Sequence, residues 1–239
     1  MFEIRKSSER GVANFGWLSS HHTFSFGSYY DPKHCGFSDL LVINDDRVIP
    51  GKGFGTHGHQ DMEIFSYVLS GALEHKDSMG TGSVIYPGDV QMMSAGKGIR
   101  HSEYNPSQQE LVHFLQIWII PNQKNVIPRY QQKHFSDEEK QGRLRVIISP
   151  DGREDSLSVY QDVSVYAGLL NVGDEVSYQV KNDRYAYVHV AQGSLSVNGI
   201  ALGAGDGLKV RQESFIQFTA ANQAEVLLFD LRPIEVAPF

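Results

Sequence analysis

The chain writes one plan twice, and that doubling limits its folds more than any other feature. A strand-like run ending Val68-Leu69-Ser70 stops at Gly71, and another ending Val190-Ala191-Gln192 stops at Gly193. Pro87-Gly88-Asp89 is echoed by Ala204-Gly205-Asp206, and the apolar run LVHFLQIWII (111–120) by EVLLFDL (225–231). Between these landmarks lie short apolar runs punctuated by turn residues about every 8–12 positions, the signature of a β-sandwich or barrel. The 23 glycines, 13 phenylalanines and 11 tyrosines suit that class. Strands are expected at 40–43 (stopped by Asn44-Asp45-Asp46), 63–69, 81–85, 90–94, 99–104, 143–148 and 163–170. The run 72–76 is expected to fold back on 63–69 as a hairpin, and Asn198-Gly199 to close another after 194–197. Phe24, Phe26 and Tyr29 alternate with small polar residues, which predicts a strand entering a turn at Gly27. The polar stretch 122–142 reads as a connector with a short helix over 136–140, capped by Ser136. The expectation is an all-β protein with little helix, divided at 1–130 and 131–239. Residues 210–216 and the tail from Pro233 carry no clear pattern.

Two short motifs in the first half carry chemistry. His57 and His59 stand two apart, as do His101 and Glu103 44 positions later. Residues two apart on a strand share a face, so two such pairs on neighbouring strands close a site of three imidazoles and one carboxylate. That donor set suits a borderline divalent metal with positions left open. The repeat tests whether a second such site exists. Aligning Gly71 with Gly193 puts His57, His59 and Glu63 on Gln179, Lys181 and Tyr185, and aligning Gly88 with Gly205 puts His101 and Glu103 on Phe218 and Ala220. No histidine or carboxylate survives, so one metal per chain is expected and the second half is read as structural.

Bulk properties narrow the partners. The net charge is −7, with no basic run or basic-aromatic stripe, which argues against nucleic acid. A single cysteine, Cys35, permits no internal disulfide and fits a reducing compartment. No secretory signal and no bilayer-spanning apolar stretch is read, so a cytoplasmic protein without a membrane partner is expected.

The motifs resemble those of a known superfamily. GKGFGTHGHQDMEIFSYVLSG (51–71) is similar to the first cupin motif, although its closing glycine comes one residue late. Residues 82–105, with Pro87-Gly88-Asp89 and Gly98-x-x-His101-x-x-x-Asn105, are similar to the second, with Gly96 where a proline is usual. More narrowly, HGH followed by EIFSYVLSG, then PGDVQMMSAGKGIRHSE and LQIWI, resembles the pirin family, and HTFSFGSYYDP fits its bacterial branch. The resemblance spans nearly the whole chain. It implies two tandem cupin (jelly-roll β-barrel) domains, the second without ligands. It further implies an iron-type centre on His57, His59, His101 and Glu103, and quercetin 2,3-dioxygenation with release of carbon monoxide. Fe(II) is the expected ion, with copper, manganese, cobalt, nickel and zinc as alternatives. In many cupins the carboxylate four residues after His-x-His is the ligand, which would be Glu63; the pirin pattern gives that place to Glu103, which also becomes the candidate base. The expected partners are a flavonol-like small molecule and O2. A non-catalytic metal-binding regulator acting through a protein partner is the alternative, and an isomerase or lyase on another small molecule a third.

The remaining histidines have plainer readings. His21 and His22 are expected near a domain edge, and His75, His113 and His189 as satisfied residues of apolar strands. Met62, Met79, Met92 and Met93 are candidate pocket or core fillers.

Overall fold

The computed structural model describes residues 1–181 and 183–235. In chain order the first twelve strands are β1 (Phe2–Arg5), β2 (Gly11–Asn14), β3 (Leu18–His22), β4 (Leu40–Val48), β5 (Gly53–His59), β6 (Glu63–Ser70), β7 (Leu73–Asp77), β8 (Gly82–Ile85), β9 (Asp89–Ser94), β10 (Ile99–Tyr104), β11 (Val112–Ile119) and β12 (Arg129–His134). After the helical turn α1 (Asp137–Lys140) come β13 (Arg145–Ser149), β14 (Leu157–Ser158), β15 (Ser164–Leu170), β16 (Glu175–Gln179), β17 (Tyr185–Gln192), β18 (Ser194–Val197), β19 (Ile200–Gly203), β20 (Gly207–Val210), β21 (Phe215–Ala220) and β22 (Ala224–Leu231). The expected cap is present: Ser136 accepts from the Glu139 amide and the Glu139 side chain accepts from that of Ser136.

Both halves are jelly-roll barrels of the cupin type. In the first, a seven-stranded sheet ordered β12-β9-β6-β11-β4-β3-β2 folds over a four-stranded sheet ordered β5-β10-β7-β8. The second repeats this as β1-β20-β17-β22-β15-β13-β14 over β16-β21-β18-β19. Inside the first barrel, Val68, Val112 and Phe114 of the large sheet pack on Leu73 and Ile85 of the small one. In the second, Val188 and Leu228 pack on Leu195, Val197 and Phe218. The two large sheets then stack on each other: Phe65, Tyr67, Leu115 and Ile117 meet Ile147, Val165, Leu227 and Phe229 in one continuous core. This sandwich of sheets explains why β6 and β11 are apolar at consecutive positions. Alternate side chains point to opposite faces, and in these strands both faces are buried, one in the barrel and one against the other domain.

Several local expectations change. The run 72–76 does not pair with β6. At Gly71 (φ +75°) the chain turns a corner into the small sheet, where β7 pairs with β8 and β10. A Cβ at Gly71 would stand 2.6 Å from the Leu111 carbonyl oxygen, so the corner needs glycine on both counts. Asn44-Asp45-Asp46 do not stop a strand; β4 runs through them to Val48, and tertiary partners hold the buried side chains of Asn44 and Asp45. Asn44 meets His22, and Asp45 takes Arg10, Arg47 and His113. Residues 24–29 are a tight turn, with Phe26 bridged to Tyr29, rather than a strand. Asn198-Gly199 does close the β18–β19 hairpin.

The division expected between residues 130 and 131 falls inside β12, all six residues of which pair with β9. At the other end of the chain, β1 leaves its own half and pairs with β20 of the second barrel, Phe2 opposite Val210. No helix among the described residues is long and apolar enough to cross a membrane, and residues 236–239 of the tail lie outside the described residues.

Candidate metal centre

Strands β5 and β10 bring the two motifs together on the inner face of the small sheet of the first barrel. His57 is directly opposite His101, and His59 opposite Ile99. The register then shifts, so that Glu103 faces Phe54 rather than Gly55. Close approach here depends on Gly53, where a Cβ would lie 2.2 Å from the Glu103 carbonyl oxygen.

Three imidazoles cluster: ring centroids are 4.8 Å apart for His57 and His59, 4.4 Å for His57 and His101, and 4.9 Å for His59 and His101. The hydrogen-bond pattern around two of them fixes their tautomers. His57 Nδ1 lies 2.8 Å from the Gly55 carbonyl oxygen. That oxygen only accepts, so Nδ1 carries the hydrogen and Nε2 presents a lone pair. His75 Nε2 lies 3.0 Å from Asp77 Oδ2, and His75 Nδ1 lies 3.4 Å from His101 Nδ1. With the carboxylate accepting from His75 Nε2–H, His75 Nδ1 is an acceptor, His101 Nδ1 is the donor, and His101 Nε2 presents a lone pair too. The Nε2 atoms of His57 and His101 stand 3.0 Å apart. Two lone pairs facing each other at that distance repel unless a cation lies beside both. Two imidazole nitrogens bound at about 2.0–2.1 Å and at right angles are separated by about 3 Å, so the donor set fits a divalent metal ion. Burial, then the neighbouring His57, lowers the pKa of His59 to about 4; burial, then His57, His59 and His75, lowers that of His101 to about 2. Both shifts keep the two imidazoles uncharged near neutral pH, so each retains one ring nitrogen with a free lone pair.

Glu103 is fully buried beside His101. It forms a cluster with His101 and His75 whose ligand atoms lie within 4.8 Å of one another, whereas His57, His59 and His101 form a separate cluster at the same limit. Ser66 Oγ donates to Glu103 Oε1 at 3.2 Å and Gln116 Nε2 to Oε2 at 2.9 Å. Burial dominates over these bonds and pushes the carboxyl up to about 7. Glu63 is neither beside a metal cluster nor solvent-facing. It points away from the barrel, is 1% exposed, and accepts from Ser94 Oγ at 2.9 Å and from the Tyr160 amide of the second domain at 3.2 Å. Burial pushes it up to about 7 as well.

His75 is the residue that sequence reasoning missed. Leu73, His75 and Asp77 alternate along β7 and share one face, a spacing signal hidden by the expectation of a β6–β7 hairpin. His22, expected at an edge, lines the cleft instead and bonds Asn44 at 2.8 Å. His113 bonds Asp45 at 2.7 Å, while His189 is buried with neither ring nitrogen partnered. Met92 and Met93 are core; Met79 is exposed; Met62 borders a separate hollow behind Trp118.

A cleft of about 480 Å³ opens onto His57 and His59. Its walls are aromatic: Phe15, Trp17, Phe26, Phe54 and Trp118. The edge-on contact of Trp118 with His59, at 5.0 Å between centroids, joins wall to metal cluster. Its floor carries Ser20, His22, Asn44, Asp46 and Gln116. Asp46 is buried, and burial first, then the charges of Asp45 and Glu103, push it up to about 7 against the pull of Ser20.

In the second barrel the strand equivalent to β10 is β21, and Phe218 is opposite Val176, with Ile216 opposite Tyr178. The true counterparts of His57 and His59 are therefore Val176 and Tyr178 rather than Gln179 and Lys181. The slip has a simple cause: Gln179 and Tyr185 leave a longer connection between β16 and β17 than His59 and Glu63 leave between β5 and β6. Leu195 is opposite Ala220, where the first barrel has His75 opposite Glu103. These positions are filled by apolar core, and no metal cluster occurs there among the described residues.

The comparisons with known proteins agree with this geometry. The family model described as Pirin matches residues 3–119, and that described as Quercetinase C-terminal cupin domain matches 146–231. The quercetin 2,3-dioxygenase of Escherichia coli (strain K12) is 48% identical over 234 residues, covering 98% of this chain and 100% of that protein. The crystal structure of YhhW from Escherichia coli superposes with a TM-score of 0.95 at 46% identity, covering 99% of this chain and 100% of that one. The bacterial pirin YhhW in complex with nickel(II) gives 0.94 at 47% identity over 98% and 100%.

Proposed function

The chain belongs to the pirin family, and from that premise we propose that it is a metal-dependent dioxygenase cleaving a flavonol such as quercetin at the 2,3 position with O2 and release of carbon monoxide. The observation that carries this reading is the pair of facing Nε2 lone pairs on His57 and His101 at the end of an aromatic cleft. We assign the ligands as His57, His59, His101 and Glu103, one ion per chain, with Fe(II) as the native metal. When bound, the ion supplies a Lewis-acidic, redox-active centre that lowers the pKa of a hydroxyl brought to it.

The protein's own residues do the rest. Trp17, Phe54 and Trp118 offer flat apolar walls that receive aromatic rings and keep water from the reacting face. Gly55 and the Asp77–His75 pair orient two of the imidazoles. Glu103, steadied by Ser66 and Gln116, is the candidate base for the proton of the flavonol's 3-hydroxyl, a role that requires it to shift away from the metal. The second barrel, without ligands, covers the back of the large sheet that carries Gln116 and Trp118. The one thiol, Cys35, suits a cytoplasmic location.

The test is turnover. Protein loaded separately with iron, copper, manganese, cobalt or nickel is mixed with quercetin in oxygenated buffer, and loss of flavonol absorbance is followed with headspace carbon monoxide. Consumption with carbon monoxide release supports the proposal. No turnover with any metal refutes it and, with a stoichiometric protein partner in a pull-down, moves the reading to a regulatory protein.

A further inference from the structure

We propose that Asp46 sets substrate selectivity in this cleft: its carboxylate receives a ring hydroxyl of the ligand other than the one delivered to the metal.

The floor of the cleft is laid by β4 and β11. Asn44 and Asp46 point into the barrel beside Gln116, while Asp45 and Arg47, on the alternate face, bond each other at 2.7 Å. Most of the polar floor is already committed. Asn44 Oδ1 is held by His22 at 2.8 Å, and Gln116 Nε2 is spent on Glu103 at 2.9 Å. Asp46 is the exception: it is 2% exposed, it lines the cavity, and its Oδ1 has no hydrogen-bond partner. A buried carboxyl oxygen without a partner is costly and rare. Among the described residues no cation bonds it: Arg10 and Arg47 both turn to Asp45, and Arg47 acts on Asp46 only through space. Its place, among aromatic walls and apart from the imidazole cluster, calls for a donor on a flat, mainly apolar ligand. A phenolic hydroxyl meets that description; an aliphatic or anionic ligand does not, since the first has no flat ring to lay against the aromatic walls and the second brings an acceptor rather than a donor to Asp46. Asp46 is thus a positioning residue that distinguishes polyhydroxylated flavonols from those bearing only the metal-directed hydroxyl.

This inference rests on the flavonol reading of the cleft, and its test is a binding measurement that does not require turnover. Both tryptophans of the chain, Trp17 and Trp118, line the cleft, so their fluorescence reports occupancy directly. Iron-loaded wild type and Asp46→Asn, held without oxygen, are titrated with quercetin and with 3-hydroxyflavone, and thermal unfolding verifies that the variant folds. The expected result is that Asp46→Asn weakens quercetin at least about tenfold, the loss of one hydrogen bond to a charged group, and leaves 3-hydroxyflavone within about twofold. Asp46→Ala should give the same ranking. Equal weakening of both ligands, no weakening of either, or no binding of either to wild type overturns it. Turnover is scored separately: Asp46-dependent binding without carbon monoxide release refutes the dioxygenase and leaves the role of Asp46 standing.

Discussion

Removing His75, which the proposed ligand set leaves off the metal, should loosen the metal. His75 accepts from His101 Nδ1 at 3.4 Å only because Asp77, 3.0 Å from its other nitrogen, takes the His75 hydrogen. Both imidazoles are buried, with His75 wholly so and His101 2% exposed. In His75→Phe the His101 Nδ1–H is left without an acceptor, which costs about 1–3 kcal/mol. The ring escapes that cost by moving its hydrogen to Nε2, and in doing so surrenders the lone pair the ion needs. Loss of such an outer partner weakens metal binding by about 10–100-fold. Asp77→Asn is the sharper perturbation, because it conserves volume and changes only which way the hydrogens run. Its amide donates to His75 Nε2, sets His75 Nδ1 as a donor, and turns it against His101 Nδ1–H. Competition against a chromophoric chelator, on protein whose metal-free thermal unfolding matches wild type, reads the affinity. A value for Asp77→Asn within about twofold of wild type would refute the relay and reduce His75 to packing.

The other predictions follow from the same geometry. Glu63 has a folded pKa of about 7 against an ordinary 4.5, so the folded state binds its proton more tightly than the unfolded chain. The stabilisation is complete below pH 4.5 and is lost as pH rises through 7, about 3 kcal/mol in all. Denaturant unfolding of Glu63→Gln should therefore show a flatter loss of stability over that window, and an unchanged slope would count against the assignment. Glu63→Ala should retain one metal per chain whereas Glu103→Ala should lose turnover with the fold intact; metal lost from the first and kept in the second would reverse the ligand assignment. Phe65, fully buried between the two large sheets, should cost about 3–5 kcal/mol on substitution by alanine, read as a lower denaturant midpoint.

What the sequence discloses and what it hides divide along the range of the interaction. His57-x-His59, the Asn198-Gly199 turn and the Ser136 cap are set by neighbours in the chain, and each appears where local pattern puts it. Partners chosen across sheets are another matter. Nothing near Gly71 says that Leu73–Asp77 joins the small sheet, yet that choice alone brings His75 to His101. Asn44-Asp45-Asp46 read as a strand stop because the partners of Asn44 and Asp45, His22, Arg10 and His113, come from distant parts of the chain. Glu63 competed with Glu103 for the carboxylate place because motif spacing is linear, while its direction is set by strand parity: Ile64, Ser66 and Val68 face the barrel, so Glu63 and Phe65 face the other domain. The halves' alignment erred where a connection lengthened, which spacing alone does not reveal.

The exchange of β1 into the second barrel makes the chain a closed circuit in space. β1 holds beside β20 the place that β12 holds beside β9, so the second barrel is completed by a strand that precedes the whole first barrel in the chain. That strand must wait for its partner across about 200 positions of chain, Phe2 for Val210, and closing so long a loop is a late and slow event. Until β1 docks, the β20 edge stands unpaired on that side. A circular permutant that starts after Arg5 and rejoins β1 behind β22 should fold with the same barrels, and faster.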